Sequence, residues 1–198
     1  MTLDSNPVWA GKVFIDGAWV VGGAGDSPVI EPATGDEIGR FGMASAGDVA
    51  KAAAGAAAAQ SQWAALPHTT RSAVLRKAGD LWQQHSDEFA EWNIREVGAV
   101  AGMAGFALHV AAEECYAAAA LPGMPYGELL PSEEPRLSMA RRMPVGVVGV
   151  IAPFNVPLIL GIRSVAPALA LGNAVLLKPD PRTAVTGGVN FVRVFEEA

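Results

Sequence analysis

Two polar side chains stand where apolar runs end. Asn155 follows the β-branched run Val145–Ile151 through the segment Ala152-Pro153-Phe154-Asn155. Lys178 closes the run Ala174–Leu177 and opens Lys178-Pro179-Asp180. An amide NH2 can donate to an oxygen that gains negative charge, the chemistry of an oxyanion hole. The same residue ahead of Pro157 also suits a turn or a cap. A lysine at a strand end can bond ribose hydroxyls or stand near phosphate, or simply carry its charge into water on an apolar stem. Spacing alone leaves both alternatives open for both residues. No G-x-G-x-x-G fingerprint follows the first run. Gly146 and Gly149 fall inside it, and Gly187-Gly188 falls inside an expected helix.

Cys115 is the single cysteine, beside Glu113 and Glu114 in an alanine-rich stretch. Neighbouring carboxylates raise a thiol pKa and suppress the thiolate, so it reads as a packing residue and not a nucleophile. His68, His85 and His109 are isolated, and no spacing suits a metal. Trp9, Trp19, Trp63, Trp82 and Trp92 read as core.

The elements that must position these groups follow from periodicity. Asp16-Gly17 between Val13–Ile15 and Ala18–Val20 is a hairpin signal. Pro32-Ala33-Thr34-Gly35 marks a second turn, between Val29–Glu31 and Glu37–Phe41. Ser45 with Asp48 three residues on forms a capping box for an alanine-rich helix, Val49 to Trp63, broken by Pro67. Thr70 and Ser86 are candidate caps for two further helices, the second ending at Gly98. A fourth helix runs from about Val100 to Ala120. Leu121 to Pro135 carries four prolines and reads as a connector, and Arg136 to Met143 as an edge strand.

The last third changes character. Val145–Ile151 has the continuous apolar pattern of a strand buried on both faces. Pro157 suits the first turn of a helix that ends at Gly172, with Pro167 expected to kink or divide it. Ala174–Leu177 is a second buried strand, and Thr183 begins a last helix. Strand, helix, strand, helix implies a parallel sheet. Ligands bind beyond the carboxyl ends of such strands, so Asn155 and Lys178 share one edge.

Composition removes other classes. Hydrophobic residues are 51% and charged residues 17%, which excludes a disordered chain. A net charge of −6 is unsuited to sequence-independent nucleic-acid binding. Charge is uneven, because residues 136–182 carry six basic residues and one acidic, Asp180. That positive field suits an anionic ligand such as a dinucleotide, or a solvated or subunit-facing edge. The uncharged stretch Met143–Ile162 has the 20-residue length of a membrane span, but three internal prolines and an amide argue against one. The N-terminus lacks a signal-peptide pattern, and one unpaired cysteine suits the cytoplasm.

The block Pro144–Leu158, with Ala166–Asn173 and Leu177-Lys178-Pro179, resembles the NAD(P)-dependent aldehyde dehydrogenase superfamily. Phe14–Trp19, Pro32–Gly35 and the alanine-rich helix ending at Trp63 match its N-terminal part in order. Phe154, where most members have tryptophan, and the segment Lys178–Thr183 look most like bacterial benzaldehyde dehydrogenases.

The resemblance implies an α/β fold: the N-terminal part of an aldehyde dehydrogenase-like fold, an incomplete Rossmann-like parallel sheet preceded by small β elements and a helical segment. It implies hairpins and helices over 1–123, a connector and oligomerisation strand over 124–143, and the first part of a cofactor-binding domain over 144–198. It assigns Asn155 the role of oxyanion donor to a small-molecule aldehyde. It assigns Ile151, Ala152, Pro153, Phe154, Lys178 and Asp180 to the cofactor, NAD or NADP. Pro181 stands where members often have a glutamate on the ribose, which leaves NAD against NADP open. Val156, Leu160 and Arg163 match substrate-tunnel positions. The family's nucleophilic cysteine and its glutamate base match no residue here, so the chain alone is expected to be inactive, and a homo-oligomer to form through the 136–143 strand. The rival expectations are a non-catalytic module that pairs with enzyme subunits and a membrane-associated protein.

Overall fold

The computed structural model describes residues 7–198. Two antiparallel hairpins open the chain: β1 (Lys12–Ile15) with β2 (Ala18–Val21), and β3 (Asp26–Ile30) with β4 (Glu37–Gly42). The first turns through Asp16 and Gly17, both at positive φ, as its Asp-Gly signal requires. Four helices follow: α1 (Ala46–Ala65), α2 (His68–Gln84), α3 (Ser86–Val97) and α4 (Ala101–Ala118). The capping box at α1 is formed, with Asp48 N–H donating to Ser45 Oγ and Ser45 N–H donating to Asp48 Oδ2. The other two expected caps are not. Helix α2 starts at His68, two residues before Thr70, and Ser86 lies inside α3 without capping it. Pro67 holds the cap position before α2, and His85 is both the C-terminal cap of α2 and the N-terminal cap of α3, with no side-chain cap at either start.

The connector holds more structure than its prolines suggested. Gly127–Leu130 forms β5, paired antiparallel with β6 (Ser138–Arg141). The edge strand expected over 136–143 is therefore half of an exposed hairpin, with Leu129 at 71% and Leu137 at 77% exposure.

Strand β7 (Val147–Ile151) pairs in parallel with β8 (Ala174–Lys178), joined by α5 (Pro157–Ala170). Neither strand is buried on both faces, contrary to the pattern's expectation. Val150 is buried, whereas Val145 and Ile151 are about four-fifths exposed, because this sheet has two strands among the described residues. Helix α5 runs through Pro167 undivided. Its end is set by Gly172 at φ +87°, a conformation that only glycine adopts without strain.

Three side chains from α1 and α2 take up carbonyls at that end. Trp63 Nε1 donates to Leu169 O at 2.8 Å, Arg71 Nε to Ala170 O at 3.1 Å, and Gln60 Nε2 to Gly172 O at 2.8 Å. Helix C-terminal carbonyls lack partners within the helix and carry partial negative charge, so these donors, one of them a buried cation, anchor α5. The other end of α5 begins next to Asn155.

The main core joins α2, α3, α4 and α5 to the last helix α6 (Asn190–Glu197) through Leu75, Trp82, Phe89, Leu108, Leu158, Ile162 and Phe191. Burying each of the Leu, Ile and Phe side chains among them contributes on the order of 1.5–3 kcal/mol. A second cluster, Trp9, Val29, Phe41 and Trp92 with Ala184 and Val185, ties the β3–β4 hairpin to the segment after β8. That segment does not open as a plain α-helix at Thr183. A 3₁₀ turn (Pro181–Thr183) leads into a π-helical turn (Val185–Val189) and then α6. Gly187 and Gly188 lie against Pro157 and Pro179, where an added Cβ would come within 3.0 and 2.8 Å of proline carbons. The glycines let this turn seat on the two prolines that follow the two strand ends.

Candidate active site

The register Ile151↔Lys178 brings the two strand ends together, and Ala152 N–H donates to Lys178 O at 3.1 Å to extend the ladder. Residues 152–155 and 178–180 thus share one edge. Ala152 is buried, while Ile151, Pro153, Phe154 and Asn155 face solvent. The backbone bends over 154–156 before α5 begins.

Asn155 does not cap α5. The residue at the cap position is Val156, no side chain caps the helix, and Pro157 removes one of the N–H groups that a cap would serve. Among the described residues, the Asn155 amide neither donates nor accepts a hydrogen bond. It is exposed, at the mouth of the edge, with its donors uncommitted. Such an amide can stabilise an oxyanion bound beside it.

Lys178 is exposed, and its Nζ donates to the adjacent Pro179 carbonyl at 3.3 Å. Asp180 starts the 3₁₀ turn and accepts from the Arg182 N–H at 3.0 Å. Its carboxylate also takes the Arg182 side chain two-pronged, Nε at 2.8 Å and Nη2 at 2.9 Å. Arg182 holds the Asp180 carboxyl down to about 2, so it is ionised at any physiological pH. The Arg182 guanidinium in turn lies over the Phe154 ring, 3.6 Å from its centroid. The edge therefore carries two cations, one carboxylate and one free amide. Arg182 lies inside the segment Lys178–Thr183 that carries part of the resemblance, but sequence reasoning assigned it no role of its own. The short separation of Asp180 and Arg182 within Lys178–Thr183 was its one visible trace.

Val156 follows Asn155 at the cap position and so precedes α5, while Leu160 and Arg163 lie within the helix, three residues apart. Val156 packs against the main core, Leu160 is half-buried, and Arg163 is exposed with its Nε on Glu114 Oε1 of α4 at 2.9 Å.

Cys115 is fully buried, and burial, with the Glu114 charge adding, pushes its thiol up to about 12. Burial, and not the neighbouring carboxylates expected from the sequence, is the larger cause. No group of three or more His, Cys, Asp or Glu among the described residues is placed to hold a metal ion. No helix of the described residues is long and apolar enough to cross a membrane.

Glu96 was not singled out from the sequence. It is buried on α3, and its carboxylate accepts the Val185 and Thr186 amides at 2.9 and 2.6 Å. Burial raises it to about 7 against the lowering effect of those amides. It fixes the start of the π-helical turn that seats on Pro157 and Pro179.

A model of the aldehyde dehydrogenase family matches residues 19–198. The chain is 68% identical to a vanillin dehydrogenase of Amycolatopsis sp. over all 198 residues, covering 40% of that protein. It is 48% identical to a benzaldehyde dehydrogenase [NAD(+)] of Pseudomonas putida over 193 residues, 97% of this chain and 39% of that one. The crystal structure of an NAD-dependent benzaldehyde dehydrogenase from Corynebacterium glutamicum superposes with a TM-score of 0.92 at 41% identity, over 99% of this chain and 43% of the other. The chain thus spans about two-fifths of the length of the relatives it matches.

Proposed function

The chain belongs to the aldehyde dehydrogenase family, and from that premise we propose that it supplies the oxyanion donor and part of the dinucleotide shelf for NAD(P)-dependent oxidation of an aromatic aldehyde to its acid. The observation that carries the reading is the uncommitted Asn155 amide at the shared strand-end edge. In the proposed reaction a thiolate attacks the aldehyde carbon, and the carbonyl oxygen becomes an oxyanion that Asn155 Nδ2 stabilises. A bound NAD(P)+ would supply the hydride acceptor that turns the thiol adduct into a thioester, and water cleaving the thioester C–S bond would return the thiol and release the acid. The backbone of 151–154 and the Lys178 ammonium suit the cofactor's nicotinamide side and ribose. Asp180 acts through Arg182 and not as a free ligand. Val156, Leu160 and Arg163 line the aldehyde's approach.

The thiolate does not come from Cys115, which is buried and protonated. The purified chain, incubated with NAD+ or NADP+ and benzaldehyde or vanillin, is expected to form no reduced nicotinamide above blank. Turnover by the chain alone would overturn this division of labour. We place the dinucleotide part at 144–198, the packing segment at 1–123, and a subunit contact at 124–143, whose hairpin exposes Leu129, Leu137 and Met139. The compartment proposed is the cytoplasm. The same hairpin favours a second reading, a module that pairs with sister subunits. Light scattering tests it, because loss of self-association in L129K with L137K is expected if the hairpin is the contact.

A further inference from the structure

We propose that Arg182, braced by Asp180, is a positioning residue for Asn155 and acts through the ring of Phe154. The proposal rests on the reading of Asn155 as oxyanion donor. Phe154 and Asn155 lie in the bend between β7 and α5, after the last ladder bond, Ala152 N–H to Lys178 O, and before the first helical bond, Leu160 N–H to Val156 O. Among the described residues no hydrogen bond reaches either residue. The directed interaction that does reach the bend is the Arg182 guanidinium on the Phe154 ring, 3.6 Å from the centroid. A cation over an aromatic face is attracted by the ring quadrupole, and a guanidinium also stacks flat on it.

A free arginine on an exposed ring would sample many rotamers. In this one both prongs of the fork are held by the Asp180 carboxylate, and Asp180 also receives the Arg182 backbone N–H. The next residue, Thr183, is buried, which roots the brace in the body of the protein. The brace thus runs from the end of β8 across to the bend after β7 and joins the two lips of the edge. It limits where Phe154 can go, and with it the neighbouring Asn155 amide. Orientation of a donor to within a fraction of an ångström decides how well it meets an oxyanion. The bidentate pairing with Asp180 also spends the Arg182 charge internally, whereas the Lys178 ammonium donates to the Pro179 carbonyl.

The test has two arms. In the 198-residue chain, NMR is expected to show the Arg182 side-chain protons shifted upfield by the Phe154 ring, and F154L to abolish that shift. Nitrogen-15 relaxation at Phe154 and at the Asn155 backbone and side chain is expected to show increased motion in R182A and in D180N. R182K, which keeps the cation but loses the fork, is expected to restore part of the order, and R182Q less. Unchanged relaxation in R182A overturns the proposal. In the complete enzyme, R182A is expected to lower kcat about tenfold with KM for the dinucleotide within twofold. A raised KM with kcat intact makes Arg182 a cofactor ligand and also overturns it. The arms separate this proposal from the reading beneath it. If N155A leaves kcat untouched, the oxyanion role fails whatever the relaxation shows. If N155A abolishes turnover and R182A leaves the bend rigid, only the brace fails.

Discussion

Asn155 and Asn173 stand at opposite ends of the same β-α-β unit and do opposite things. Asn173 is buried at the start of β8, and its side chain is fully engaged. Its Oδ1 accepts the Val145 and Gly146 amides at 2.7 and 3.1 Å, and its Nδ2 donates to Ala168 O at 3.0 Å. It joins the entry of β7 to the end of α5. Asn155 is exposed at the exit of β7 and makes none of these bonds. One amide has its hydrogen bonds satisfied by folding, whereas the other keeps them for something that arrives. A buried amide without partners costs free energy, so an interior asparagine must be tied, while an exposed one at a strand exit is free to serve a ligand.

Substitution should separate the two most sharply. In the complete enzyme, N155A is expected to lower kcat by about 10²–10³, the usual loss for one oxyanion donor. Its unfolding free energy is expected to stay within about 0.5 kcal/mol of the parent, as for other exposed sites. Steady-state kinetics beside urea denaturation would read both, and a large stability loss would put Asn155 in the structural class with Asn173.

Glu96 is the ionisable counterpart of Asn173, a buried side chain that serves two backbone amides. Its folded value of about 7 lies above its ordinary 4.5, so the folded chain holds the proton more tightly than the unfolded chain. The stability this lends is fully present below about pH 4.5 and is lost as pH rises through about 7, on the order of 3 kcal/mol in all. The difference in unfolding free energy between the parent and E96Q is expected to move in that window. A flat difference from pH 4 to 8 would contradict it.

N173A is expected to cost about 2–3 kcal/mol, because it strands two amides and a carbonyl at the strand entry. Activity per folded enzyme should be retained, which is the reverse of N155A. The smallest effect is expected at Cys115. C115A should cost about 1 kcal/mol through lost packing, and the native thiol should resist iodoacetamide until the chain unfolds. Rapid labelling of the folded chain would show that the thiol is not sealed in the core.

The site edge was legible because its signals are local. Two apolar runs with a Pro157-started helix between them place Asn155 and Lys178 at strand exits in any parallel β-α-β unit. The Asp16-Gly17 turn and the Ser45–Asp48 box were legible for the same reason, since each closes within four residues. The pairing of β5 with β6 was missed because a proline-rich segment has no strand periodicity of its own, and β5 is defined by its partner.

By itself, the amino-acid sequence determined the family, the order of elements and the candidacy of Asn155, because those follow from short-range pattern and motif. Only the tertiary structure decided which asparagine is free, that Asp180 is committed to Arg182 and Arg182 to Phe154, and that Glu96 anchors a turn 89 and 90 residues away. Contacts of that kind join elements whose spacing in the chain carries no period. They appear only when packing has chosen which buried polar groups must be satisfied and which exposed ones are left to act.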